Sequence, residues 1–295
     1  MRQLVIGCGY LGQRVAQRWQ AEGHDVLVLT RSASRAESFR RQGWQPIIGD
    51  VLDPQVLAEL PPVDVALWAV GLDRSSGRSQ REVYIEGLQN VLKNIANRVR
   101  RFLYVSSTSV YGQDDGSVVD ETSPTQPTAE NGQVCLAAEQ VVWDFFPIDS
   151  SATSPNFTGA CIVRLAGIYG PGRLIARAET LRARTPLTGN PEAWLNLIHV
   201  DDAATAALAC AERGIGGQTY LICDDRPLSR REFYSAVSRL VQAPEPVFAE
   251  PSVSSSLNKR CSNVKLRKEL RVELQFPTID VGLPHALVAA DLKIC

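Results

Sequence analysis

Leu4-Val5-Ile6-Gly7-Cys8-Gly9-Tyr10-Leu11-Gly12 decides the fold: three apolar residues run into G-x-G-x-x-G and then into an amphipathic stretch, Tyr10–Glu22. The apolar run reads as a buried strand, and the three glycines then have separate jobs. Gly7 permits a tight turn, Gly9 lets backbone N–H groups approach a pyrophosphate, and Gly12 lets the helix pack close to the sheet. The helix start adds N–H donors and the positive end of a dipole, which suits phosphate. Glycines also end strands for steric reasons alone. The strand–turn–helix context favours the other reading, a dinucleotide site with phosphate contacts from Gly7, Gly9, Tyr10, Leu11 and Gly12.

The same alternation continues outward. Further strands are expected at Asp25–Thr30, Gln45–Ile48, Val63–Val70, Arg101–Ser106 and Gly159–Leu165, with the first over Gln3–Gly7. Helical patterns lie between them at Ser34–Gln42, Pro54–Leu60, Ser79–Asn97 and Gln133–Phe145. Buried strands alternating with helices predict an α/β chain, a doubly wound parallel sheet of Rossmann type covered on both faces. After Leu165 the character changes: Gly170-Pro171-Gly172 interrupts the pattern, and later apolar runs are shorter. Residues 1–165 therefore read as a dinucleotide-binding domain. Residues 166–295 read as mainly a small α/β substrate-binding region, with some return of the chain to the first sheet. Ser-rich Asp149–Thr158 and Pro251–Ser256 read as surface loops.

The segment after the second strand bears on the cofactor. An acidic residue there would accept hydrogen bonds from the ribose hydroxyls of NAD. Thr30-Arg31-Ser32-Ala33-Ser34-Arg35 has none; Arg31, Ser32 and Arg35 instead suit a 2′-phosphate, so NADP is preferred over NAD. Asp50 and Val51, after the third strand, are placed for adenine. Ala69, Val70 and Gly71, ending the fourth, are small where backbone must pass close to a ligand.

Composition excludes several classes. Among 295 residues, 44% are hydrophobic and 21% charged, within the globular range. A formal net charge of −1 leaves no basic field to draw nucleic acid or an anionic membrane. The longest apolar stretches, such as Val63–Val70, fall far short of the ~20 residues of a membrane span. Seven dispersed cysteines form no C-x-x-C pair and have no zinc-ligand spacing, so no metal is expected and a reducing, cytoplasmic setting is. A small molecule is the expected partner.

Three longer segments carry a resemblance: Ser106-Ser107-Thr108-Ser109-Val110-Tyr111-Gly112, Arg164-Leu165-Ala166-Gly167-Ile168-Tyr169-Gly170-Pro171-Gly172, and Leu197-Ile198-His199-Val200-Asp201-Asp202-Ala203. In these the chain resembles the extended short-chain dehydrogenases/reductases, the nucleotide-sugar epimerases and dehydratases. The resemblance implies oxidoreductase or epimerase/dehydratase-like chemistry on a nucleotide sugar or another small carbonyl or alcohol. It also implies a homodimer through the fourth and fifth helices, a monomer being the other expectation. Ser106 would border the cofactor, and Ser107 matches the catalytic serine. The family's proton chemistry needs a tyrosine and, four residues on, a lysine. In Asn131-Gly132-Gln133-Val134-Cys135-Leu136-Ala137-Ala138-Glu139, Asn131 takes the tyrosine position and Cys135 the lysine position. No tyrosine in the chain is followed four residues later by lysine. An amide does not deliver a proton as a phenol does, and a thiol supplies no fixed positive charge. Of possible substitutes, Tyr111, Cys135 and His199 read more readily as packed structural residues, and Arg173 and Arg260 as surface arginines. Two functions stand: an atypical oxidoreductase with a degenerate active site, and a non-catalytic NADP(H)-binding sensor or regulator.

Overall fold

The computed structural model describes residues 1–147, 159–249 and 257–288. In chain order the first half runs β1 (Arg2–Ile6), α1 (Gly12–Ala21), β2 (Asp25–Thr30), α2 (Ala33–Arg41), β3 (Gln45–Ile48), α3 (Pro54–Ala58), β4 (Val63–Trp68), α4 (Gly87–Ile95), β5 (Val99–Ser107), β6 (Val118–Val119) and α5 (Glu130–Phe145). The second half runs β7 (Gly159–Leu165), β8 (Gly167–Tyr169), α6 (Ile175–Arg182), β9 (Trp194–Leu195), β10 (Leu197–His199), α7 (Val200–Arg213) and β11 (Thr219–Ile222). It ends with β12 (Leu228–Ser229), α8 (Arg230–Leu240), β13 (Arg260–Cys261), α9 (Val264–Glu269) and α10 (Ile279–Val288).

Seven strands form one sheet in the order β11-β7-β5-β4-β1-β2-β3, every neighbouring pair parallel. The order reverses at β1 and β4, so their C-terminal ends open a crevice, the place where ligands bind in doubly wound folds. Side chains alternate along each strand between two apolar clusters. Leu4 and Ile6 of β1 join Ala66, Trp68, Phe102 and Leu88 on one face. Val5 joins Val15, Trp19, Leu67, Leu103 and Ala207 on the other. A sheet buried on both faces explains why its strands read as continuous apolar runs.

The chain beyond Leu165 divides its loyalties. Helix α7 packs on the sheet face that holds α1, and β11 extends the sheet beside β7. Residues before α7 and after β11 build a third cluster, including Tyr169, Leu181, Phe233, Val237, Leu283 and Leu287. The Ser-rich Asp149–Thr158 and Pro251–Ser256 lie outside the described residues.

Two predicted helices change shape. The expected Ser79–Asn97 helix opens with a π-helical turn, Glu82–Glu86, before α4 begins at Gly87. A Cβ on Gly87 would stand 2.6 Å from Val51 Cγ2, so α4 starts where the loop after β3 presses against it. Helix α5 begins three residues earlier than its periodicity suggests, at Glu130, because Gly132 lets its first turn close on the strand-end loop. A Cβ there would meet Ser109 O at 2.4 Å and Pro127 Cβ at 2.6 Å.

Candidate active site

The three glycines after β1 do different things. Gly7 has φ +89°, and a Cβ on it would lie 2.5 Å from Val70 N and 2.6 Å from Ala69 O, so the turn needs both a left-handed backbone and a missing side chain. A Cβ on Gly12 would meet Gly7 O at 2.6 Å, which fixes how closely α1 packs on the turn. A Cβ on Gly9 would meet nothing within 4 Å. Its missing side chain leaves open the space that a pyrophosphate would fill.

That space belongs to a cavity of about 950 Å³ along the C-terminal ends of β1, β2, β4 and β5, within the usual size of ligand sites. All but one of the expected cofactor residues line it: Gly7, Gly9, Tyr10 and Leu11 of the turn, Arg31, Ser32, Arg35, Asp50, Val51, Ala69, Val70, Gly71 and Ser106, with Ser107 beside them. Gly12 stands behind the turn, where its part is the close packing of α1. A Cβ on Gly71 would also meet nothing within 4 Å. Glycine turn, open cradle and flanking guanidinium groups fit a nicotinamide dinucleotide. The end expected to take an adenosine is formed by the loop after β2, where Ser32 Oγ caps α2 by accepting from Arg35 N at 3.2 Å. Arg35 donates to the carbonyl of Cys8 and lies over the Phe39 ring. Arg31 reaches across the mouth to Asp73 Oδ2 at 3.1 Å and faces Asp50 Oδ2 at 3.9 Å. Carboxylates absent from the Arg31–Arg35 segment are thus supplied by other loops. Nothing near Arg31 in sequence signals Asp73, which stands 42 residues on.

Tyr10 ties this turn to the second half of the chain. Its hydroxyl donates to Pro171 O at 2.9 Å, and the guanidinium groups of Arg14 and Arg173 both lie over its ring, 4.5 and 4.6 Å from the centroid. Burial raises the pKa of its phenol. Arg173 therefore sits in the cavity wall, stacked on Tyr10.

At the other end, Ser107, Ser109, Asn131 and Cys135 line the same cavity. Ser107 Oγ accepts from Ser109 N at 3.1 Å, which leaves its own proton for a ligand oxygen. Asn131 and Cys135 are four residues apart on α5 and so share a helix face. Burial pushes the Cys135 thiol pKa up, against a hydrogen bond with Ser109 that lowers it, so the sulfur stays protonated at neutral pH. No lysine lines the cavity among the described residues; Lys259 is buried elsewhere, its ammonium donating to Tyr111 O at 2.9 Å. Tyr84, projected from the π-helical turn, also lines the cavity, its hydroxyl accepting from Leu72 N at 3.1 Å. The Ser79–Asn97 pattern predicts a regular helix there and gives no sign of the π-helical turn that presents Tyr84 to the cavity, so Tyr84 is not among the residues expected.

Behind Ser106 stands a buried network. Its hydroxyl donates to Glu139 Oε1 at 2.5 Å, and Arg164 clamps the same carboxylate through Nε at 3.0 Å and Nη2 at 2.7 Å. Arg164 also donates to the Tyr111 hydroxyl at 2.9 Å. Burial works against the Arg164 charge, but the hydrogen bonds and charge of Glu139 outweigh it and hold its pKa above the ordinary value. Tyr111 is fully buried, and burial pushes its phenol to about 12, so it packs as the structural aromatic of its motif.

His199 is also fully buried. It caps α7 by accepting from Asp201 N at 3.2 Å through Nδ1, while Nε2 faces His285 Nδ1 at 3.2 Å. His199, Asp201 and His285 hold ligand atoms within 4.8 Å of one another, but this relay satisfies His199 without a metal. Burial lowers its pKa to about 4, so it stays neutral. Arg260 stacks on Trp194 and donates to Gly116 O, away from the cavity wall. No helix among the described residues is long and apolar enough to cross a membrane.

Comparison with known proteins agrees with this geometry. Residues 3–223 match the model of the NAD dependent epimerase/dehydratase family. Protein YeeZ of Escherichia coli K12 is 29% identical over 92% of this chain and 95% of its own length. A 4-hydroxy-2-methyl-3-oxo-4-farnesyl-3,4-dihydroquinoline-1-oxide ketoreductase of Stigmatella aurantiaca is 30% identical over 79% of this chain and 71% of its own. A solved dTDP-glucose 4,6-dehydratase of Streptomyces venezuelae with NAD bound shares the fold, with TM-score 0.82 and 22% identity over 98% of this chain and 96% of that one. The family model covers more than half of the sequence and takes in both the glycine turn and the serine strand end. This chain belongs to the NAD dependent epimerase/dehydratase family, among the extended short-chain dehydrogenases/reductases.

Proposed function

We propose that the chain is an NADP(H)-preferring oxidoreductase or epimerase/dehydratase-like enzyme whose active site lacks the family's tyrosine–lysine pair. Its substrate is a nucleotide sugar or another small carbonyl or alcohol. In this reading residues 1–165 bind the cofactor and residues 166–295 mainly the substrate. The observation that carries it is the convergence of Ser107, Asn131 and Cys135 on the cavity that the glycine turn opens. When bound, the nicotinamide supplies or takes up a hydride.

The chain's own residues then bind, orient and manage one proton. Arg31, Ser32 and Arg35 hold the adenosine ribose, and α1 directs its N-terminal dipole at the phosphates. Ser107 Oγ, already accepting from Ser109 N, donates to the substrate oxygen. Asn131 orients that oxygen through its amide, which donates but does not transfer a proton. The proton itself passes between Ser107 and water. Six described cysteines are free and buried, which supports a reducing, cytoplasmic setting; a homodimer or a monomer suits the site equally.

Asn131 and the protonated Cys135 favour a second reading, a sensor that binds NADP(H) without turning it over. Calorimetry with NADPH and NADH side by side, then stopped-flow absorbance of the reduced cofactor across carbonyl and nucleotide-sugar substrates, separates the two. Tight NADPH binding with a substrate-dependent absorbance change supports the enzyme. Tight binding with a flat trace throughout the panel supports the sensor, and binding of neither cofactor removes both.

A further inference from the structure

We propose that Asp73 sets the cofactor preference of this chain by competing with a ribose 2′-phosphate for Arg31. The inference rests on the reading of the cavity as an NADP(H) site and adds the residue that tunes it. The two arginines of the adenosine end are not equivalent. Arg35 donates to an uncharged carbonyl, that of Cys8, and forms no ion pair among the described residues. Arg31 lies between two carboxylates, Asp73 at 3.1 Å and Asp50 at 3.9 Å.

Both carboxylates are held in place before any ligand arrives. Asp73 Oδ1 accepts from Ser75 N at 3.0 Å and from the Ser75 hydroxyl at 2.6 Å, turning Oδ2 to Arg31. Asp50 Oδ1 accepts from Leu52 N at 3.0 Å, again leaving Oδ2 toward Arg31. The Arg31–Asp73 contact joins the loop after β2 to the loop after β4 across the cavity mouth. Both side chains are about half exposed, so a phosphate can reach them.

Around Arg31 and Arg35 the two guanidinium groups are matched by two carboxylates, Asp50 and Asp73, while Arg78 and Arg173 also line the cavity. A 2′-phosphate meets the unopposed Arg35, but it gains Arg31 only by displacing Asp73, whose own charge repels it. A 2′-hydroxyl has no such contest, because it does not depend on Arg31. Asp73 therefore handicaps NADP(H) and leaves NAD(H) untouched, narrowing the discrimination that Arg31 and Arg35 would otherwise give.

The test is calorimetric binding of NADPH and NADH to the purified full chain, its Asp73→Asn and Arg31→Ala variants, and the double variant. Asparagine retains the oxygen that caps Ser75, so the loop keeps its shape. Asp73→Asn is expected to tighten NADPH about two- to fivefold, the weight of one exposed ion pair, and to leave NADH unchanged. The gain shrinks in the Arg31→Ala background and at high salt. An unchanged NADPH-to-NADH ratio, or a gain that persists without Arg31, overturns the competition. The unmodified chain tests the underlying reading separately. Equal affinity for both cofactors removes NADP(H) preference yet leaves the Asp73→Asn gain in force, whereas binding of neither cofactor removes both.

Discussion

The two ends of the cavity are built in opposite ways. Around the glycine turn the protein works by omission: Gly7, Gly9 and Gly12 supply backbone and empty space, and the charged side chains stand at the rim. Around Ser107 it works by commitment, with side chains held from behind by buried charge. Ser106, Glu139, Arg164 and Tyr111 bond to one another beneath the strand end. Backbone cradles tolerate little change at the residues that shape them. A side-chain site can exchange its reactive groups and keep its frame, and on the proposed reading Asn131 and Cys135 stand in such a frame.

The frame at the reacting end is where the largest effect is expected. Glu139→Ala leaves the Arg164 guanidinium buried and unpaired, and breaking such a pair from one side costs about 3–5 kcal/mol. Urea denaturation of the variant checks this. A loss below about 1 kcal/mol would mean that the network is not what holds the strand end. Gly7→Ala is next. A Cβ at φ +89° and 2.5 Å from the Val70 backbone nitrogen combines steric strain with overpacking, a loss of about 3 kcal/mol in the same measurement. If Gly7→Ala proves neutral, the phosphate end is not the rigid half of the comparison.

The side beyond Ser107 should also announce itself through pH. Asp224, at the end of β11, is almost fully buried, and burial pushes its carboxyl to about 8, with the charges of Asp225 and Asp202 acting in the same direction. Arg226, through its backbone N–H and its charge, opposes this. Folded Asp224 therefore keeps its proton to about pH 8, whereas the unfolded carboxyl has lost it near 4. Across that interval the folded state binds more protons, so stability falls as pH rises. His199 acts in the opposite sense, because its folded pKa of about 4 lies below the unfolded value of 6.5. Above pH ~6.5 the His199 contribution is complete and no longer offsets the Asp224 slope, at most about 1.4 kcal/mol per pH unit. Denaturation of the wild type between pH ~6.5 and ~8 should show the decline, and Asp224→Asn should flatten it. An identical slope in both would mean that Asp224 ionises normally.

Legibility in the sequence divides along the same line. G-x-G-x-x-G constrains backbone locally, so the strand, the turn and the helix can be read from adjacent letters, and all but one of the expected cofactor residues line the cavity. The parallel sheet is legible because strands buried on both faces must be apolar throughout. Partnerships across the chain are not. Asp73 meets Arg31 from another loop, and Tyr84 comes from a π-helical turn inside a stretch whose pattern predicts a regular 3.6-residue helix. Glu139 and Arg164 are each visible inside a motif, yet nothing in either motif says that they pair.

Gly9→Ala is the finest probe of the contrast, because it separates space from structure within one motif. Its Cβ would meet no protein atom within 4 Å, so stability should stay within about 0.5 kcal/mol of wild type. The same methyl group would stand where a pyrophosphate must approach the backbone. Affinity for NADPH and NADH alike should therefore fall on the order of tenfold, a loss of about 1.4 kcal/mol. Thermal melting together with calorimetry reads both quantities on one preparation. Weakened binding with an unchanged melt identifies the space beside Gly9 as the dinucleotide seat. An unchanged affinity moves the phosphates away from the glycine turn, and the cofactor would then have to be sought along β4 and β5, next to the side chains that hold Ser107.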